Sequence, residues 1–188
     1  MIVDSRAISI DQAKYFLLKH LREGAPIPFP KTIYEGDNGI QAFDKIALVS
    51  ITDSEMEKPF VDSEYVCCVE FKDIEPMNIN YVVPPGTEYM TEVHASKIYS
   101  FIKKLHETPE RVLLFAHCRH GMCRSGAVVD FAGMYAGLGY WNTKRRNPQI
   151  VPNHWVQFQL TQALFTDRLK KNEERISESI NSVTEEPA

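Results

Sequence analysis

The chain has 188 residues, 44% hydrophobic and 24% charged, with 21 basic against 25 acidic side chains and a formal charge of −4. That balance describes one ordinary globular domain long enough to bury a core, and excludes a largely disordered, fibrous or repetitive chain. A net acidic chain argues against broad nucleic-acid binding, leaving only a local basic patch open, and no apolar run approaches the roughly 18–20 residues of a membrane span.

The opening Met1-Ile2-Val3-Asp4-Ser5-Arg6 lacks the basic-then-apolar profile of a signal peptide, so a cytoplasmic location is expected. Ser9 and Gln12 have capping-box spacing. Ile10, Ala13, Phe16, Leu17 and Leu21 then recur at helical spacing, predicting an amphipathic helix over residues 10–22. Gly24 and Pro26-Ile27-Pro28-Phe29-Pro30 stop it, and a loop with Gly36-Asp37-Asn38-Gly39 follows. Residues 45–52 read as a buried strand and 65–71 as a second, with Cys67 and Cys68 facing opposite sides in packing roles.

A connection with Pro76, Pro84, Pro85 and Gly86 leads to a helix over about 88–106, with Met90, Val93, Ile98, Phe101, Ile102 and Leu105 apolar. Val112-Leu113-Leu114-Phe115-Ala116 has no polar alternation, as expected of a central strand covered on both faces. Ala127 to Tyr135 read as a helix. A last helix is expected from near Pro152 to Lys171, with Trp155, Phe158, Leu160, Leu164, Phe165 and Leu169 inward. A single domain over 1–171 is therefore predicted, with 172–188 a polar, disordered tail. Strands alternating with helices predict an α/β three-layer sandwich whose central, mostly parallel sheet is flanked by helices.

Between the apolar strand and the helix at 127 lies His117-Cys118-Arg119-His120-Gly121-Met122-Cys123-Arg124-Ser125-Gly126. A loop that ends on a helix N-terminus can turn several backbone N–H groups onto one anion. The candidate cradle runs through Arg119, His120, Gly121, Met122, Cys123 and Arg124. Gly121 permits the backbone angles, and the Arg124 guanidinium can grip two phosphate oxygens. The same field favours the thiolate of Cys118, which puts a nucleophile and a phosphate in one pocket. Cys, five residues and Arg is a weak signal alone; the preceding strand, His117, Gly121 and Ser125 strengthen it. Four N/S side chains at 117, 118, 120 and 123 also suggest a metal, but one tight turn cannot readily present four ligands as a tetrahedron, and no metal or cofactor is expected.

His117-Cys118-x-x-Gly121-x-x-Arg124-Ser125 resembles the phosphate-binding loop of the protein tyrosine phosphatase superfamily, and is closest to its small dual-specificity and bacterial or viral branch. The likeness extends over residues 45–165 through Phe71-Lys72-Asp73 and Pro152-Asn153. It implies Cys118 as nucleophile, Arg124 as phosphate clamp and Ser125 as donor to the departing sulfur. It also implies Asp73 as general acid, with His117 and Asn153 supporting the loop. The expected substrate is a phosphorylated protein or another phosphomonoester, phosphotyrosine first.

Two features depart from the pattern. The interval from Asp73 to Cys118 is 45 residues, so Glu75 and Glu88 stand as alternative acids and the Pro-rich insertion over 75–86 as a candidate lid. Arg119 and His120 make the rim more cationic, which with Lys144-Arg145-Arg146 keeps an RNA 5′-phosphatase open; a phosphate-binding module with little turnover is the other alternative. Cys123 could form a disulfide with Cys118 under oxidation.

Overall fold

The computed structural model describes residues 1–34, 40–76 and 87–184. The Gly36–Gly39 loop and positions 77–86 of the insertion lie outside them.

Four parallel strands form the central sheet in the order β1-β6-β4-β5, where β1 is Ile2–Ser9, β4 Lys45–Thr52, β5 Val66–Glu70 and β6 Val112–Cys118. Side chains alternate across it. From β4 and β6, Ala47, Val49, Ile51, Val112, Leu114, Ala116 and Cys118 join one core, and Ile46, Leu48, Leu113 and Phe115 join the other. The first core is covered by α2 (Glu92–Glu107), α3 (Arg124–Tyr135) and α5 (His154–Thr184). The second is covered by α1 (Ile10–Glu23) together with Phe43 and Phe60. This is the three-layer α/β sandwich with a parallel sheet that the sequence predicts. Cys67 joins the first core and Cys68 packs against the second, one thiol to each side.

Side chains occupy part of the backbone ladder at each sheet edge, which blunts it against another strand. On β1, the Asn147 amide oxygen accepts from Ala7 N–H at 2.8 Å, its NH2 donates to Ser5 O at 3.0 Å, and Gln149 donates to Ala7 O at 2.9 Å. On β5, Asp62 accepts from Cys68 N–H and Lys97 donates to Cys68 O, each at 2.8 Å.

β1 escapes the sequence reading because Asp4 and Ser5 interrupt its apolar pattern. Both are fully buried, and Asp4 is paired with Arg6 at 2.7 Å and Arg146 at 2.8 Å. The short hairpin of β2 (Thr32–Tyr34) and β3 (Ile40–Ala42) and the helix α4 (Tyr140–Arg146) are likewise additions.

Helix boundaries shift for local reasons. α1 starts where Ser9 and Gln12 close their capping box. α2 begins at Glu92, not near 88, because Thr91 and His94 form a capping box there; Met90 is buried ahead of the helix, and the apolar Val93 is 77% exposed. α5 runs to Thr184 instead of stopping at Lys171. Residues 172–179 contain neither Gly nor Pro to end it, and Ser177 Oγ bonds back to Glu173 O at 2.9 Å. Three residues expected inward on α5, Phe158, Phe165 and Leu169, are exposed. Among the described residues, no helix is long and apolar enough to cross a membrane.

Candidate active site

The candidate loop sits at the C-terminal ends of the parallel strands, where open α/β sheets present their ligand sites. β6 ends on Cys118, the chain turns through 119–123, and α3 starts at Arg124. Gly121 has φ +74°, and a Cβ there would come within 2.6 Å of Ser9 N and also strike the Ile8 carbonyl carbon. Only glycine meets both demands: the left-handed turn and the close passage over the end of β1. The N-cap residue Cys123 makes no side-chain capping bond to α3, so the first N–H groups of the helix are left to the loop.

Cys118 is 3% exposed. Burial pushes its thiol pKa up, but the Ser125 hydroxyl, the Ser125 and Met122 amides and the Arg124 charge pull harder, and the net result lies below the ordinary thiol value. The Ser125 Oγ is 3.2 Å from the sulfur. Arg124, also 3% exposed, is aimed by two neighbours: Nη1 donates to Phe71 O at 2.5 Å, and Nη2 lies 3.6 Å from Asp53 Oδ2. Among the described residues, its Nε has no hydrogen-bond partner. A buried guanidinium with an unused N–H is costly; an oxyanion in the loop would satisfy it.

Asp53, at the end of β4, is the residue the sequence reading passed over. Its other oxygen lies 3.7 Å from Arg119, so one carboxylate addresses both arginines. The available signal was an acid immediately after the buried strand at 45–52, at the loop end of the sheet.

Asp73 is exposed and brought to the loop. Asn153 Nδ2 donates to its Oδ1 at 2.8 Å. The carboxylate also lies beside the Cys123 thiol, whose pKa is pushed up to about 11 by burial first and by Asp73 second. Asn153 is a three-way fastener. Its backbone N–H reaches Cys123 O at 3.2 Å, its side-chain oxygen caps α5 through Val156 N–H at 3.0 Å, and its amide holds Asp73. Of the alternative acids, Glu75 is occupied at the start of α5, accepting from His154 N–H at 2.7 Å. Glu88 lines a groove with Glu70, Tyr89 and His94, to which no residue of the 118–124 loop contributes.

His117 points to the opposite sheet face. Its Nε2 meets Ser50 Oγ at 2.8 Å and its ring centroid is 5.5 Å from that of Phe60. Burial, and then the Arg124 charge, lower its pKa to about 4, so the ring is a neutral brace between β6 and β4. Arg119, His120 and Met122 are exposed on the rim. In the basic run, Lys144 bonds to Ile150 O and Arg146 to Asp4, tying two of its three charges into the fold.

No protein-family model matches the chain, and no curated protein matches it. Among solved structures, the chain is similar to one described as the crystal structure of Tk-PTP in the active form. The two share 19% identity with a TM-score of 0.36, over 62% of this chain and 77% of that one.

Proposed function

We propose that the protein is a cysteine-dependent phosphatase that hydrolyses phosphomonoesters through a phosphocysteine. One observation carries the reading: an acidified, buried thiol shares a loop with a buried guanidinium whose Nε lacks a partner among the described residues. In this scheme the phosphate settles on the loop amides and Arg124. The Cys118 thiolate attacks phosphorus, the P–O ester bond breaks, and Asp73 delivers its proton to the leaving oxygen. Water then attacks the phosphocysteine, Asp73 takes its proton, and the P–S bond breaks with the Ser125 hydroxyl donating to the departing sulfur. Asn153 supports the role of Asp73 by holding one of its oxygens beside the loop.

Phosphotyrosine is the proposed protein substrate. A phenolate leaves more easily than an alkoxide, since phenol ionises near pH ~10 and a serine hydroxyl far above it. The engagement of Arg119 by Asp53, and of Lys144 and Arg146 by the fold, subtracts from the cationic surface that an RNA 5′ end would need.

The test is a substrate panel in the presence of a metal chelator: a small aryl phosphate, a phosphotyrosine peptide and a 5′-triphosphate RNA, with wild type and Cys118→Ser. Turnover of the aryl phosphate and peptide by wild type alone is expected. A folded wild type that turns over none of them rejects the enzyme, and a preference for RNA replaces the substrate class.

A further inference from the structure

α5 carries an apolar stripe on the side facing away from the domain. At about 100° per residue, Phe165, Leu169 and Ile176 fall within about 20° of Phe158 around the helix axis. All four are exposed: 44% for Phe158, 52% for Phe165, 63% for Leu169 and 60% for Ile176. Val156, Leu160 and Asp167 fall within about 20° of the opposite direction. That side meets the domain: Val156 and Leu160 are buried, and Asp167 bonds to Tyr99 and Lys103 of α2, each at 2.9 Å. The helix therefore has two apolar faces, and its own domain covers one. The open face continues past the domain, where residues 171–179 are all exposed. Scattered exposed apolar residues need no explanation, but an aligned series along one helix marks an interaction surface.

The spacing of the series is that of a coiled-coil seam, with Phe158 and Phe165 on one core position of the heptad and Leu169 and Ile176 on the other. We propose that this face pairs with the same face of a second copy of the chain, as a parallel two-helix coiled coil. The charges beside the seam select the occupant and its direction. Arg168 and Glu173 are both exposed and five residues apart, the offset at which flanking residues of two parallel helices meet. Arg168 of each copy then faces Glu173 of the other, twice by symmetry. An antiparallel pair would instead set Arg168 against Arg168 or Arg175 of the other copy, like charge on like. Gln162 shares the core position of Leu169 and Ile176, and Asn172 that of Phe158 and Phe165, so two polar residues interrupt the seam. Because α5 starts beside Cys123, the parallel pair places both candidate active sites at the same end of the dimer.

The test is sedimentation velocity on the full chain across a concentration series, with aryl phosphate turnover as a check of each variant. A concentration-dependent dimer is expected. Leu169→Glu with Ile176→Glu should return the monomer without changing turnover, and helicity should survive because Glu is a good helix former. Arg168→Glu should weaken the dimer about tenfold, and adding Glu173→Arg should restore it. A wild type that stays monomeric to about 200 μM, or a dimer indifferent to the two stripe substitutions, overturns the proposal. Failure of the charge swap to restore pairing overturns the parallel arrangement.

Discussion

Cys67 and Cys118 stand on two strands of one sheet, on the same core face, with 2% and 3% of their surfaces exposed. Their thiols behave in opposite ways. Burial pushes Cys67 up to about 12, with the Lys97 charge opposing too weakly to matter. Burial pushes Cys118 up as well, yet Ser125, two backbone amides and Arg124 carry it below the ordinary value. Depth in the core is thus common to both and decides neither function. What separates them is the terminus of β6, where the chain turns so that N–H groups and a guanidinium converge on one sulfur. Burial on a strand favours the protonated thiol; the mouth of a helix favours the thiolate.

The contrast can be broken most severely by chemistry. Cys118→Ser should reduce aryl phosphate turnover by at least ~10⁴-fold, while Cys67→Ala leaves it intact. Correspondingly, iodoacetate near pH ~7 should alkylate Cys118 and spare Cys67; equal labelling of both in the folded protein would erase the distinction. Next comes the acid. Asp73→Asn should lower turnover about 10²-fold and flatten the alkaline limb of the pH–rate profile, with the acid limb still set by Cys118. An unaffected rate would transfer the proton to another group.

A third prediction concerns His117, whose ring is held at about 4 against about 6.5 when free. Between those values the unfolded chain binds a proton that the folded one refuses, so stability falls as pH falls through that window. The expected loss is on the order of 3 kcal/mol. Denaturant melts of wild type and His117→Gln at about pH 7 and about pH 5 should show the variant losing less. Identical losses would assign the effect elsewhere. The smallest effect sharpens the comparison from the sulfur's side. Ser125→Ala removes one donor among several, so the Cys118 titration should move upward and turnover drop about tenfold. A thiol that titrates unchanged would leave the amides and Arg124 as its whole support.

Elements whose residues repeat at one period were legible in the chain. Ile46–Val49 within β4 and Val112–Ala116 within β6 are continuous apolar runs, and Ser9–Gln12 announces α1 locally. β1 was not, because its polar Asp4 and Ser5 become acceptable inside only when Arg146 pairs with Asp4 and the Val129 carbonyl accepts from the Ser5 hydroxyl, both from more than a hundred residues away. The outward face of α5 was misread for a related reason. Apolar residues on both sides of one helix look like a single wide core face until the domain is seen to cover only half of it. In the site, Cys118, Arg124 and Gly121 follow one another in sequence and could be found there. Asp53 lies 65 positions before Cys118, and its bearing on Arg124 exists only in three dimensions.

The amino-acid order alone therefore determined the loop and the strand and helix around it, because every residue of that device is local and its spacing is its geometry. Tertiary structure decided which distant groups serve it: the carboxylate that aims the guanidinium, the acid that Asn153 steadies, and the helix face left without a cover. Those depend on how separate strands register against one another, and burial, ion pairing and exposure acquire values only once that register is set.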